Sequence, residues 1–173
     1  MRDDVADPVT RLQIRSARPD EFAAVGDLCV AAYAPFVTGD DEYLAVLRDA
    51  ALRASEAELL IAIDGGVLLG TVTFVPDGGS LGEIARPGET EFRMLAVDPA
   101  AQGCGVGSAL LRRVLDASRG SDGVVCSSLP AMQAAHRIYE RLGFRRAPGR
   151  DWSPVPGVDL LAFALSLRAE TPD

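Results

Sequence analysis

Three glycines in five residues mark the segment Gln102–Ser108, where Gly103, Gly105 and Gly107 alternate with Cys104 and Val106. Glycine is costly in ordered structure unless the backbone needs a positive φ or something must come close. Here the run follows a strand-like segment that ends at Asp98-Pro99, and it leads into a helical pattern. A helix N-terminus offers unpaired amides and the positive end of the helix dipole, so such a run suits an anion. Two phosphate loops are excluded. A Walker loop requires Gly-Lys-Ser/Thr, which does not occur here. A dinucleotide loop requires glycine or alanine at its third position. That position is Ser108 counted from Gly103 and Leu110 counted from Gly105.

Other reactive side chains are sparse. His136 is the single histidine, which rules out a two-histidine metal site and reads as a helix-surface residue. Cys29, Cys104 and Cys126 are an odd, scattered set without metal-ligand spacing. They read as free thiols of a reducing compartment. Arg112 and Arg113 open the helix after the glycines, either as a solvated face or within reach of a phosphate.

The elements that must position the loop follow from periodicity. Leu12–Ala17 is a short first strand. Pro19 suits a first helical turn, and Phe22, Val25, Leu28 and Cys29 fall at helical spacing. The segment 39–58 predicts a second helix with Tyr43, Val46, Leu47, Ala50 and Leu52 on its apolar side. Two apolar runs flank Gly65-Gly66 as a hairpin. Glu89–Val97 is a strand. Leu110, Leu111, Val114 and Leu115 form the apolar stripe of the post-glycine helix. Gly123–Leu129 is a strand, and a helix begins near Pro130 and stops at Gly143. A short strand at 144–148, a proline-rich turn at 150–157 and a last strand complete a mixed α/β order.

The 173 residues suit one domain. The expected boundaries are a loose tail over 1–10, one folded domain over 11–168 and a short tail over 169–173. A net charge of −8 argues against a nucleic-acid partner. It mildly favours a cationic or amine-bearing substrate. No apolar run is long enough to cross a bilayer, and no apolar leader segment opens the chain. The expected protein is therefore cytoplasmic, with no membrane partner.

The segment Gln102–Gly107 matches Q/R-x-x-G-x-G/A. Before it, "LAVDPAAQG" is similar to L-x-V-x-P at the end of a fourth strand. After it, "AAHRIYERLGF" (Ala134–Phe144) is similar to a late helix ending A-x-x-x-Y-x-x-x-G-F. These three motifs resemble the GCN5-related N-acetyltransferases, the GNAT family, and the element order fits from Leu12 to Leu167. The resemblance implies a single GNAT-like domain. Its twisted mixed sheet has six or seven strands and helices on both faces, with a notch for coenzyme A between strands four and five. It also implies acetyl-CoA as cosubstrate, no metal, and direct acetyl transfer to the amine of a small molecule or peptide. A homodimer is common among such proteins.

Residue roles carry over from the same motifs. The amides of Gln102, Gly103, Cys104, Gly105, Val106, Gly107 and Ser108 would face the pyrophosphate. Leu95, Ala96 and Val97 would pair with the pantetheine arm, with the Leu95 amide donating to the thioester oxygen. Tyr139 would be the general acid; packing alone would also place an aromatic there, with Met132, Ala135 and Leu142. Glu91 is the candidate base, with Glu89 as the alternative; either also reads as a solvated carboxylate at a strand start. Cys104 would lie near the phosphates. Tyr33, Phe36 and Trp152 would line an acceptor slot that Asp40, Asp41 and Glu42 make attractive to cations. A non-catalytic acyl-CoA sensor is the alternative function, and the intact Tyr139 favours the enzyme.

Overall fold

The computed structural model describes residues 11–37 and 39–169. The tail expected over 1–10 lies outside them, as do residues 170–173 of the tail expected over 169–173. Strand β1 (Gln13–Ser16) leads to α1 (Phe22–Tyr33), α2 (Asp41–Arg48) and α3 (Ala50–Glu56). The strands β2 (Glu58–Asp64), β3 (Val67–Val75) and β4 (Glu89–Val97) follow. Helix α4 (Val106–Ala117), β5 (Gly123–Ser128), α5 (Gln133–Arg141), β6 (Arg145–Arg146), β7 (Trp152–Val155) and β8 (Val158–Ser166) complete the order. The strands lie as β1-β2-β3-β4-β5-β8-β6, with β7 beside β8.

Two core clusters divide the helices between the sheet faces. Leu110, Leu111 and Val114 of α4 pack with Phe92, Val124 and Phe163 on one face, where Tyr139 of α5 joins them. Val25, Leu28 and Cys29 of α1 pack with Leu47, Leu59 and Ile61 on the other. Each fully buried aliphatic side chain contributes about 1.5–3 kcal/mol. Gly70 on β3 lets α4 come close, because a Cβ there would lie 2.8 Å from Val106 Cγ1 and 3.0 Å from the Ala96 carbonyl oxygen.

Two local expectations change. The second helix is interrupted at Asp49, whose backbone leaves helical geometry (φ −80°, ψ 68°) while its side chain accepts the Leu52 N–H at 3.0 Å. An aspartate that caps a new helix competes with continuation of the old one. The proline-rich turn is a hairpin: Trp152–Val155 forms β7, and Pro156-Gly157 turns it into β8. Among the described residues the sheet therefore has eight strands, β7 included.

One pairing shapes the site. Strands β4 and β5 run parallel, and their register covers only Glu89–Glu91 against Gly123–Val125. Beyond that, β4 follows β3 through a register shift, and Met94 has φ 52°, the one positive φ at a non-glycine among the described residues. Such a conformation costs about 1–3 kcal/mol and persists where surrounding packing enforces it. The bulge carries Leu95–Val97 away from β5 and opens a gap.

Candidate active site

The gap beside the splayed end of β4 holds a cavity of about 300 Å³. Leu95, Ala96 and Val97 form one wall, and Met132, Ala135 and Ile138 from the α5 side form another. Its end is the start of α4. Ala32, Tyr33 and Phe36 border it from α1 and the turn after it.

The glycines behave as the pattern predicts. Gly103 has φ 79° and Gly105 φ 83°, the second as the N-cap of α4. No side chain caps that helix. Its first intrahelical bond is Ala109 N–H to the Gly105 carbonyl at 3.0 Å. The amides of Gly103, Gly105, Val106, Gly107 and Ser108 have no backbone acceptor among the described residues. All five residues, with Gln102, line the cavity. Cys104 departs from expectation. Its amide is bonded to the Ala101 carbonyl at 3.3 Å, its side chain is exposed, and it is not a cavity residue. The turn that frees its neighbours' amides uses its own.

Tyr139 is buried behind the cavity wall, with ring centroids 5.5 Å from Phe92 and 5.2 Å from Phe163. Burial pushes its phenol well above the ordinary value, nearby Cys126 and Tyr33 add to this, and a hydrogen bond with Ser128 opposes it. The hydroxyl is thus protonated at neutral pH. His136 Nε2 lies 3.1 Å from Ser128 Oγ, and burial lowers the imidazole pKa.

Glu91 takes an unexpected position. It is fully buried, which removes the solvated-carboxylate reading. Its Oε2 accepts the N–H groups of Glu83, Ile84 and Ala85 at 2.8, 3.1 and 3.0 Å, and Oε1 is buried without a partner. It does not line the gap. Glu89 is engaged by Arg150 at 2.6 Å and by the Arg86 N–H at 2.8 Å. Both carboxylates fasten the loop between β3 and β4 to the sheet. Replacing Glu91 by Gln weakens three amide contacts, each costing about 1–3 kcal/mol if left unmet in the interior. The expected result is a clear fall in Tm, with turnover of the folded fraction retained. Turnover lost at an unchanged Tm would instead make Glu91 the base.

Other candidates separate in the same way. Tyr33 and Phe36 border the gap; Trp152 does not. Asp40 caps α2 by accepting the Tyr43 N–H at 2.9 Å. Arg112 is exposed and Arg113 lies 3.7 Å from Glu58, both off the cavity. Arg141, at the end of α5, lines it instead. No sequence signal singled Arg141 out, because a basic residue in a last helical turn is common on dipole grounds alone. Among the described residues no three His, Cys, Asp or Glu side chains gather as a metal site, and no helix is long and apolar enough to cross a membrane.

Buried acids around the site set an alkaline limit. Burial pushes Tyr33, Tyr139 and Cys126 well above their ordinary values. In the unfolded chain they ionise near about 10 for tyrosine and about 8.5 for cysteine. Above those values the unfolded state binds fewer protons than the folded state, so stability falls as pH rises. Tm is expected to decline from about pH 8.5 upward. A flat Tm across that range would contradict the burial of these groups.

Comparison with known proteins agrees with this geometry. The sequence model of the Acetyltransferase (GNAT) family matches residues 22–144. The chain is 32% identical over 149 residues to N-alpha-acetyltransferase RimI of Mycobacterium tuberculosis, covering 84% of this chain and 86% of that protein. It is 33% identical over 93 residues to N-acetylaspartate synthetase of Rattus norvegicus, 50% of this chain and 31% of that protein. Among solved structures, a GNAT family acetyltransferase from Brucella melitensis in complex with acetyl-CoA superposes with a TM-score of 0.62 at 26% identity. That match covers 93% of this chain and 91% of the other.

Proposed function

The chain belongs to the GNAT acetyltransferase family, and from that premise we propose that it carries an acetyl group from acetyl-CoA directly to an amine in one ternary complex. The observation that carries this reading is the β4–β5 gap, closed at one end by an uncapped helix N-terminus and backed by a protonated tyrosine. The pyrophosphate of acetyl-CoA takes the amides of Gly103, Gly105, Val106, Gly107 and Ser108, with Gln102 at the edge and Arg141 across from them. The pantetheine arm follows the free edge at Leu95, Ala96 and Val97. The complex of the Brucella melitensis relative with acetyl-CoA supports this cosubstrate.

In the transfer step the amine nitrogen forms a bond to the thioester carbon and the carbon–sulfur bond breaks. The Leu95 amide donates to the oxygen that gains charge. The ammonium proton leaves to water before attack, since Glu91 is occupied by the loop. Tyr139 gives its proton to the departing sulfur. Its raised pKa suits that partner, because the same desolvation raises the affinity of a buried thiolate for a proton. The second proton of the attacking nitrogen, lost as the adduct collapses to the amide, returns through water to the Tyr139 phenolate. The names of the relatives include a protein N-alpha-acetyltransferase and an N-acetylaspartate synthetase, both consistent with an amine acceptor. Three free cysteines suit the cytoplasm.

Initial rates at varied acetyl-CoA and varied amine test direct transfer. Intersecting double-reciprocal lines are expected. Parallel lines, with an acetylated protein isolated before amine is added, would replace the ternary complex by a covalent intermediate.

A further inference from the structure

Helix α5 carries Tyr139 and forms one wall of the gap, while the pantetheine arm is assigned above to β4 on the other wall. The seating of α5 on the sheet therefore sets how far the proton donor stands from the departing sulfur.

Polar contacts fasten this helix at one point. It has nine residues, and no side chain caps its N-terminus at Met132. Among the described residues, His136 is the one side chain of α5 that makes a hydrogen bond or an ion pair, with Nε2 at 3.1 Å from Ser128 Oγ. The sequence reads His136 as a helix-surface residue, but the structure turns it inward and half buries it. Its ring centroid lies 4.8 Å from that of Phe163 and 6.1 Å from that of Tyr139, which follows three residues on along the same helical face. Phe163 is itself 5.2 Å from Tyr139.

Ser128 is the last residue of β5 and is buried. Strand alternation points it to the same face as Val124 and Cys126, the face on which Tyr139 packs. It lies three residues past Val125, where the pairing of β5 with β4 ends and the strands part. Neither His136 nor Ser128 lines the cavity, so acetyl-CoA binding does not call for the pair. Aromatic contacts alone leave latitude, since edge-to-face pairs occupy a broad range of centroid distances. A hydrogen bond is stricter, because it weakens steeply with angle.

We propose that His136 is a positioning residue: its bond to Ser128 fixes the height and rotation of α5 on β5, and so holds the Tyr139 hydroxyl at the departing sulfur. The role rests on the acetyl-transfer reading above, with Tyr139 as proton donor, and adds the contact that aligns it.

The test follows thiol release from acetyl-CoA with the fastest acceptor among the common L-amino acids and short peptides, or with water where none is faster. Calorimetry with acetyl-CoA and melting curves accompany it. His136→Phe keeps a ring against Phe163 and removes the bond, and Ser128→Ala removes it from the other side. Each is expected to lower kcat by roughly 10- to 100-fold, the range for a displacement of about 1 Å near reacting atoms, with acetyl-CoA affinity unchanged. His136→Gln, whose amide reaches the place of Nε2, is expected to restore most of the turnover. The two changes together are expected to be no slower than the slower one alone. His136→Phe added to Tyr139→Phe is expected to cost nothing further, because both act through one hydroxyl. If His136→Phe does not fold, Ser128→Ala alone and on Tyr139→Phe decides. Turnover retained in His136→Phe and Ser128→Ala, a loss that adds in full to that of Tyr139→Phe, or no rescue by His136→Gln overturns the positioning role alone. Full turnover in Tyr139→Phe removes the proton donor, and this role with it.

Discussion

Gly105→Glu is expected to lower acetyl-CoA affinity by at least about 100-fold in a protein that still folds, since it brings both steric bulk and a like charge to an anion site. Gly105 is the N-cap of α4 at φ 83°. A Cβ built there meets nothing within 4 Å, so the glutamate side chain extends into open space beside the amides of Val106, Gly107 and Ser108. The left-handed backbone adds strain of about 1–3 kcal/mol, which for a chain of this size lowers Tm by about 2–4 °C per kcal/mol. Gly107→Glu reaches the same outcome by another route. Its φ is ordinary, and its Cβ would lie 3.0 Å from Ile138 Cδ1 and 3.6 Å from Val97 Cγ2, between the two walls of the gap. Isothermal titration with acetyl-CoA reads both. Affinity unchanged in both folded variants would mean that the glycines serve only a tight turn.

The second large effect is on turnover. Tyr139→Phe is expected to reduce kcat by about 10²–10⁴-fold, the usual range for loss of a positioned proton donor, with acetyl-CoA affinity close to that of the natural protein. Phenylalanine keeps the edge contacts with Phe92 and Phe163. What is lost is the hydroxyl alone, at a cost of about 1 kcal/mol of stability. Steady-state rates beside a melting curve separate the roles. Turnover within a few-fold of the natural protein, with a lowered Tm, would leave Tyr139 as a core aromatic whose hydroxyl serves packing.

The glycine turn at the start of α4 was legible because its requirement is local. Positive φ at Gly103 and Gly105 excludes most other residues, so the backbone need appears directly as amino-acid type. Tyr139 was legible through its spacing from the glycine that ends α5. Met94 was not, because its strain is imposed by β3 and its residue type carries no trace of it. Glu91 was read as a solvated or catalytic carboxylate, since its partners are three backbone amides of a preceding loop, and amides are invisible to side-chain patterns. The break at Asp49 was hidden by continuous helical periodicity on both sides. That break creates the acceptors for Arg53, so the arginine's burial could not be read either. The Cys104 amide shows the finer limit: the loop was recognised, yet which of its amides remain free depends on one turn contact with Ala101.

Calorimetric titration of the natural protein with acetyl-CoA, with ATP and NAD run alongside, tests most directly whether the gap holds a thioester. One site per chain with micromolar affinity for acetyl-CoA is expected, and at most weak binding of the two nucleotides, which lack a pantetheine arm for the free edge at Leu95–Val97. No heat with acetyl-CoA, or equal affinity for all three, would contradict it, because the gap between β4 and β5 would then hold no thioester.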